Sequence, residues 1–245
     1  MALTRDNYYG RDASERYFSV SQYKDFCGCE AAALARIRGE YRSPPTRAML
    51  VGSFVDAWAE GTLEAFKREN PDVFTRKKEL KAEFRKANEI IGRIRADPLF
   101  TRFLSGEKQK ILTFELFGVP WKMKMDSFLE DICVTDLKVV ANFRNLALFR
   151  YDLQGAVYQE GARLNGFGQL PFYLAAATKE RVVNLDVFQI PQATLDMALR
   201  EIGERMGRFA DVKRGFAEPE YCGVCDYCKS VKRARIRNYN ELLEG

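Results

Sequence analysis

The sequence predicts an α/β fold with a mixed central β-sheet flanked by helices, and three observations predict it. Apolar residues recur at helical spacing through roughly the first hundred positions. A meander of alternating runs follows: ILTFELF, then WKMKM, then ICVTDLK. One helical run, two further strand-like runs and a long amphipathic helix complete the order, which is that of helices packed on a sheet rather than of a bundle or a sandwich.

The chain as a whole narrows the function classes. With 245 residues, 47% of them hydrophobic, it can bury a sizeable core. It holds no run of 18 apolar residues, so no membrane span is expected. MALTRDNYYG has no apolar stretch of the signal-peptide kind, and the expected location is cytoplasmic. The net charge of +5, from 39 basic and 34 acidic residues, permits nucleic-acid binding without demanding it. Histidine is absent, which excludes Ser-His-Asp and Cys-His triads and leaves carboxylates, thiolates and carbonyl oxygens as metal ligands.

Residues 1–18 read as an irregular lead-in. A helix is expected from the caps Ser19 or Ser21 through the alanine-rich run that ends near Ile37, closed by Pro44 and Pro45. A second begins near Thr46 and runs through MLVGSFVDAWAEGTLEAF, carrying Asp56 among apolar neighbours. Over 76–95, Leu80, Phe84, Ala87, Ile91 and Ile94 mark a third, ended by Asp97-Pro98. After strand 111–118, Gly118-Val119-Pro120 is expected to turn into the second strand. A helix over 146–165 puts Arg150, Gln154 and Tyr158 on one face. Strands at 170–176 and 181–188 and a helix over 192–212 close the order.

Chemistry concentrates between Trp121 and Lys138. Along WKMKMD the apolar side chains take one face, and Asp126 shares the other with two lysines. Along ICVTDLK, Ile132, Val134, Asp136 and Lys138 share a face, so a carboxylate and an ammonium stand side by side at the end of an apolar strand. Asp126 and Asp136, helped by the Leu137 carbonyl, can hold a hard divalent cation such as Mg²⁺ or Mn²⁺. Such a cation acidifies water and polarises a phosphoryl oxygen, and Lys138 can stabilise developing charge. The same residues also fit a hairpin with a surface salt bridge.

Four of the six cysteines need a different account. Cys222, Cys225 and Cys228 stand in Cys-x-x-Cys-x-x-Cys spacing, and FCGCE offers Cys27 or Cys29 far upstream. In a chain of this class the pattern points to thiolate-bound metal rather than disulfides, either Zn²⁺ or a [4Fe–4S] cluster. The run KSVKRARIRNYN that follows is basic at Lys229, Lys232, Arg233, Arg235 and Arg237; it suits phosphate contacts or a solvated tail equally.

Taken in order, GSFVDAW, WKMKMDSF, CVTDLK and YDLQGAVYQEG resemble the PD-(D/E)XK nuclease superfamily, and within it the RecE/RecB-like phage-type exonucleases. Gln154-x-x-x-Tyr158 matches the Gln-x-x-x-Tyr motif of that branch. The resemblance implies a restriction endonuclease-like core. In it Asp126 and Asp136 are metal ligands, Lys138 is the catalytic lysine, and Gln154 and Tyr158 support the site and the DNA phosphates. Asp56 stands where relatives often carry a metal-facing histidine, and a carboxylate suits Mg²⁺ or Mn²⁺ there. The implied activity is exonucleolytic hydrolysis of double-stranded DNA ends in recombination or repair, beside a single-strand annealing protein and with a homo-oligomer allowed.

One nuclease domain is then expected over 1–245: a lead-in (1–18), a helical part (19–105), the nuclease core (106–215), and the cysteine motif with its basic tail (216–245). The cysteines resemble those of AddB-like and CRISPR-associated relatives, one before the core and three after it. That likeness implies a [4Fe–4S] cluster on Cys29, Cys222, Cys225 and Cys228, with Zn²⁺ as the alternative, tethering the two ends of the chain. It also keeps two other readings open: a cluster-containing nuclease of single-stranded or flap DNA, and a non-catalytic DNA-binding module.

Overall fold

The computed structural model describes residues 3–236 and 238–242, so Arg237 of the basic tail lies outside the described residues. Its elements run α1 (Arg11–Arg16), α2 (Val20–Gly28), α3 (Glu30–Ile37), α4 (Arg47–Ala59), α5 (Leu63–Glu69), α6 (Ala82–Arg95) and α7 (Pro98–Phe103). Then come β1 (Lys110–Leu116), β2 (Val119–Met125), β3 (Ser127–Leu129) and β4 (Cys133–Val140). The order ends with α8 (Arg144–Leu148), α9 (Tyr151–Leu164), β5 (Phe172–Thr178), β6 (Leu185–Gln189), α10 (Gln192–Arg214) and α11 (Asp226–Val231).

The sheet is mixed, as the order of elements predicts. β3–β4–β5–β6 form four strands in which β4 pairs parallel with β5 and the outer pairings are antiparallel. The β1–β2 hairpin runs directly into β3 through Asp126. Alternation along β4 and β5 gives the sheet two apolar faces. Val134, Phe172 and Leu174 join Trp121, Met123, Met125 and the inner sides of α2, α9 and α10. Leu137, Ala175 and Ala177 join α4 and α6 through Val51, Phe54, Val55, Ile90 and Ile94. No helix among the described residues is long and apolar enough to cross a membrane.

Several boundaries differ from expectation, and backbone conformation explains each. The lead-in is not irregular throughout: it contains α1, and Phe18 bridges β2, with its N–H donating to the Pro120 carbonyl at 2.8 Å. The first long helix is two, because Cys29 is extended (φ −167°) between α2 and α3. The second breaks at Gly61, whose φ of +78° favours glycine. The third starts at Ala82 because a turn over 75–79, with Lys78 at φ 62°, precedes it. Asp97 does not only end α6; its carboxylate accepts from Phe100 N–H and caps α7. The hairpin turn is Phe117-Gly118, both at positive φ, which matches the twist of the strands it joins. Val119 and Pro120 already belong to β2. The expected helix over 146–165 is interrupted at Arg150, which is left-handed at φ 50°.

Gly106 fixes the approach of the α7–β1 connection to β3. Its N–H donates to Ser127 Oγ at 3.0 Å, and an added Cβ would stand 2.4 Å from the Phe128 carbonyl oxygen. Backbone must move to relieve that contact, so Gly106→Ala should lose about 1–3 kcal/mol in urea unfolding. An unchanged midpoint would mean that this crossing is looser than it looks.

Candidate functional site

Four elements bring the candidate residues to one cleft of about 410 Å³. Asp126 sits at the β2–β3 junction, Asp136 to Lys138 on β4, Gln154 and Tyr158 on α9, and Asp56 on α4; all of them line the cleft. The pairing of β4 with β3 stops at Thr135. Beyond it the free edge of β4 faces Asp126, and Leu137 N–H donates to Asp126 Oδ2 at 2.9 Å. In a strand a residue's N–H and C=O point the same way, so the Leu137 carbonyl is directed to that side too.

The carboxylates are held by amides. Gln154 Nε2 donates to Asp136 Oδ1 at 2.6 Å, and Gln109 Nε2 donates to Asp126 Oδ1 at 3.2 Å. Lys138 Nζ pairs with Asp136 Oδ2 and lies 5.0 Å from the centre of the Tyr151 ring. Gln154 therefore orients an aspartate. Tyr158 lines the cleft beside Gln154; its hydroxyl donates to the Lys124 carbonyl at 3.0 Å and holds β2 against α9. Arg150 leaves the face expected of it and pairs with Asp152 and Glu201.

Burial makes this cluster electrostatically tense. It pushes the Asp136 carboxyl up to about 7; Lys138 opposes that rise and Asp126 reinforces it. Asp56 rises well above the carboxylate range, chiefly through burial and then through repulsion by Asp126. Burial lowers the Lys138 pKa, but the attraction of Asp136 and Asp126 outweighs it and the ammonium is raised overall. Lys24 falls to about 8 through burial and then repulsion by Lys138. Carboxylates gathered with too little positive charge are what a divalent cation relieves. Asp136 Oδ2 is buried and takes the Lys138 ammonium, which leaves it a second lone pair for such a cation. The donor set thus fits a hard cation. The three aspartates are not equally close: among the described residues, only the cysteines bring three or more metal-donor side chains into a tight group.

Sequence reasoning missed three residues in or beside the cleft. Gln109, at φ 55° and buried, belongs to no motif. The Tyr151 ring on α9 has Lys138 Nζ at 5.0 Å and Lys24 Nζ of α2 at 5.2 Å, and Tyr151 and Lys24 come near Lys138 only through packing of those helices. A weak signal existed for one wall: Tyr8-Tyr9 lies in the aromatic lead-in, and Lys124 Nζ sits 4.8 Å from the Tyr9 ring centre.

The cysteines assemble across the whole chain. The Cys29, Cys222, Cys225 and Cys228 thiol sulfurs all lie within 4.8 Å of one another, with Cys29 to Cys228 at 3.5 Å. Cys27 is outside this group and exposed. Amide N–H groups of Val224 and Cys225 hold the Cys222 thiol down to about 6, while burial pushes Cys228 up to about 12.

Comparison with known proteins agrees with this fold. The family model for a PDDEXK-like domain of unknown function (DUF3799) matches residues 19–231. A crystal structure from Eubacterium rectale, described as a "Putative exonuclease", superposes with a TM-score of 0.96 at 39% identity, covering 100% of this chain and 99% of that one. The crystal structure of SSO0001 aligns at a TM-score of only 0.35 and 14% identity, over 89% and 96% of the two chains, and carries no argument. No curated protein matches significantly. The chain belongs to the PDDEXK-like DUF3799 family, within the PD-(D/E)XK nuclease superfamily.

Proposed function

We propose that the chain is a divalent-metal-dependent deoxyribonuclease that hydrolyses phosphodiester bonds, acting from the ends of double-stranded DNA. The observation that carries the reading is the set Asp126, Asp136 and Lys138 on one cleft, with Gln154 and Leu137 N–H bonded to the two carboxylates. The family and the description of its Eubacterium rectale relative support it.

Mg²⁺ or Mn²⁺ would be held by Asp126, Asp136 and the Leu137 carbonyl, with Asp56 as an additional carboxylate, and would supply Lewis acidity toward a phosphoryl oxygen. Lys138, kept protonated by its acidic neighbours, stabilises the charge that develops on the phosphate and steers the attacking water. Gln154 and Gln109 fix the two carboxylates, so little reorganisation is needed when charge builds up. Tyr158 keeps the β2 edge in register with α9.

A second reading has one observation in its favour. The cleft is small, and Tyr9, 74% exposed, stands at its wall beside Lys124, which suits a stacked base and its phosphate on a single strand. Linear and covalently closed duplex, single-stranded and flap substrates, incubated with Mg²⁺ or Mn²⁺, separate the readings. Loss of linear duplex only, abolished in Lys138→Ala, is the expected result. Preferred digestion of single strands or flaps moves the assignment to the second reading. Cleavage by Lys138→Ala at the parent rate removes that lysine from the mechanism.

A further inference from the structure

We propose that Cys29, Cys222, Cys225 and Cys228 hold one tetrahedral Zn²⁺ ion, rather than the [4Fe–4S] cluster that the likeness to AddB-like relatives implies. The spacing of the sulfurs separates the two. Four thiolates at about 2.3 Å from one zinc stand about 3.8 Å from each other. A cubane interposes four irons and four sulfides, which spreads its cysteine sulfurs to about 6 Å or more. Here Cys29 and Cys228 are 3.5 Å apart, Cys222 and Cys228 3.8 Å, and no pair in the set exceeds 4.8 Å. The groove beside the thiols is lined by Cys29 and Cys222 but by neither Cys225 nor Cys228, so it opens next to the cage and not inside it.

The local backbone is built for thiolates. Cys225 N–H donates to Cys222 Sγ, and Cys228 N–H donates to Cys225 Sγ, each at 3.4 Å. Such amides disperse thiolate charge around a metal. Cys225 is also the N-cap of α11, which directs the first turn of that helix into the site. The cage is braced from outside: Glu30 accepts from Arg208 on α10 and from Glu220 N–H, and Ala31 N–H donates to the Glu220 carbonyl. These bonds position the tail against the start of α3 before any ion arrives.

The ion joins segments nearly the whole chain apart. Cys29 terminates α2, and α2 carries Lys24 and Asp25 on the wall of the catalytic cleft. A redox-inert ion at this junction is a structural clamp that fixes α2 and with it that wall. Its metal content is read without reference to DNA cleavage, so it stands or falls independently of the nuclease reading.

The test is elemental analysis and absorption of the full chain, purified anaerobically in parallel with aerobically. About one zinc per chain and no brown absorption in either preparation is expected. Replacing the ion with Co²⁺ should give the visible d–d bands of a tetrahedral thiolate site. Cys228→Ser should lose the metal, whereas Cys27→Ser, outside the cage and exposed, should retain it at the parent level and so guards against misfolding as the cause. About four irons and four sulfides in the anaerobic protein would overturn the proposal. So would a chain with neither metal, or loss of zinc in Cys27→Ser alone.

Discussion

Asp136→Asn should abolish DNA cleavage, lowering the single-turnover rate by about 10³-fold or more while the chain stays folded and still binds DNA. The substitution preserves volume and an acceptor for the Gln154 amide, which reaches Oδ1 at 2.6 Å. It removes the charge that pairs with Lys138 and that would hold a divalent cation. Binding measured by fluorescence anisotropy in EDTA should be close to the parent's, because phosphate contacts elsewhere carry it. Asp186→Asn, exposed on β6 and not among the residues lining the cleft, is the control and should leave the rate unchanged. Cleavage at the parent rate by Asp136→Asn would dismantle the assignment of the whole cluster.

The largest expected loss of stability is at Trp121. Its side chain is fully buried, packs against Phe18 at 5.9 Å between ring centres, and donates from Nε1 to the Leu116 carbonyl at 3.1 Å. Trp121→Ala opens a cavity worth about 3–5 kcal/mol. It also strands the Leu116 carbonyl, at a further cost of about 1–3 kcal/mol if water cannot reach it. Trp121→Phe keeps most of the packing and loses the hydrogen bond, so it should fall between the parent and Trp121→Ala in urea unfolding. Because β2 leads straight into Asp126, activity at moderate urea should fail earlier in both variants. Equal midpoints for all three chains would mean that this ring is not the centre of the core.

The site was legible where the signal is local. Period-two alternation put Asp136 and Lys138 on the face of β4 opposite Leu137, and the two core clusters divide along that line. Helical spacing put Gln154 and Tyr158 one turn apart, facing β4 and β2. Arg150 obeyed the same spacing and failed, because a left-handed residue before α9 turns it toward Asp152 and Glu201. Long helices were overextended at Cys29 and Gly61 for a related reason: apolar periodicity continues across a break that a single φ value makes.

By itself the sequence determined residue type, face and spacing: two aspartates and a lysine at strand ends, a Gln-x-x-x-Tyr turn, and three cysteines in tight register. Only the tertiary structure decided which partners meet across the chain. It selected Cys29 over Cys27 for a thiol cluster that spans 199 positions, and set Gln109 and Leu137 N–H on Asp126. It also brought Lys24 from α2 to the side of Lys138. Strand and helix periods arise from neighbouring peptide units, so they are written locally; a contact between distant residues exists only after the packing of faces has brought their backbones together.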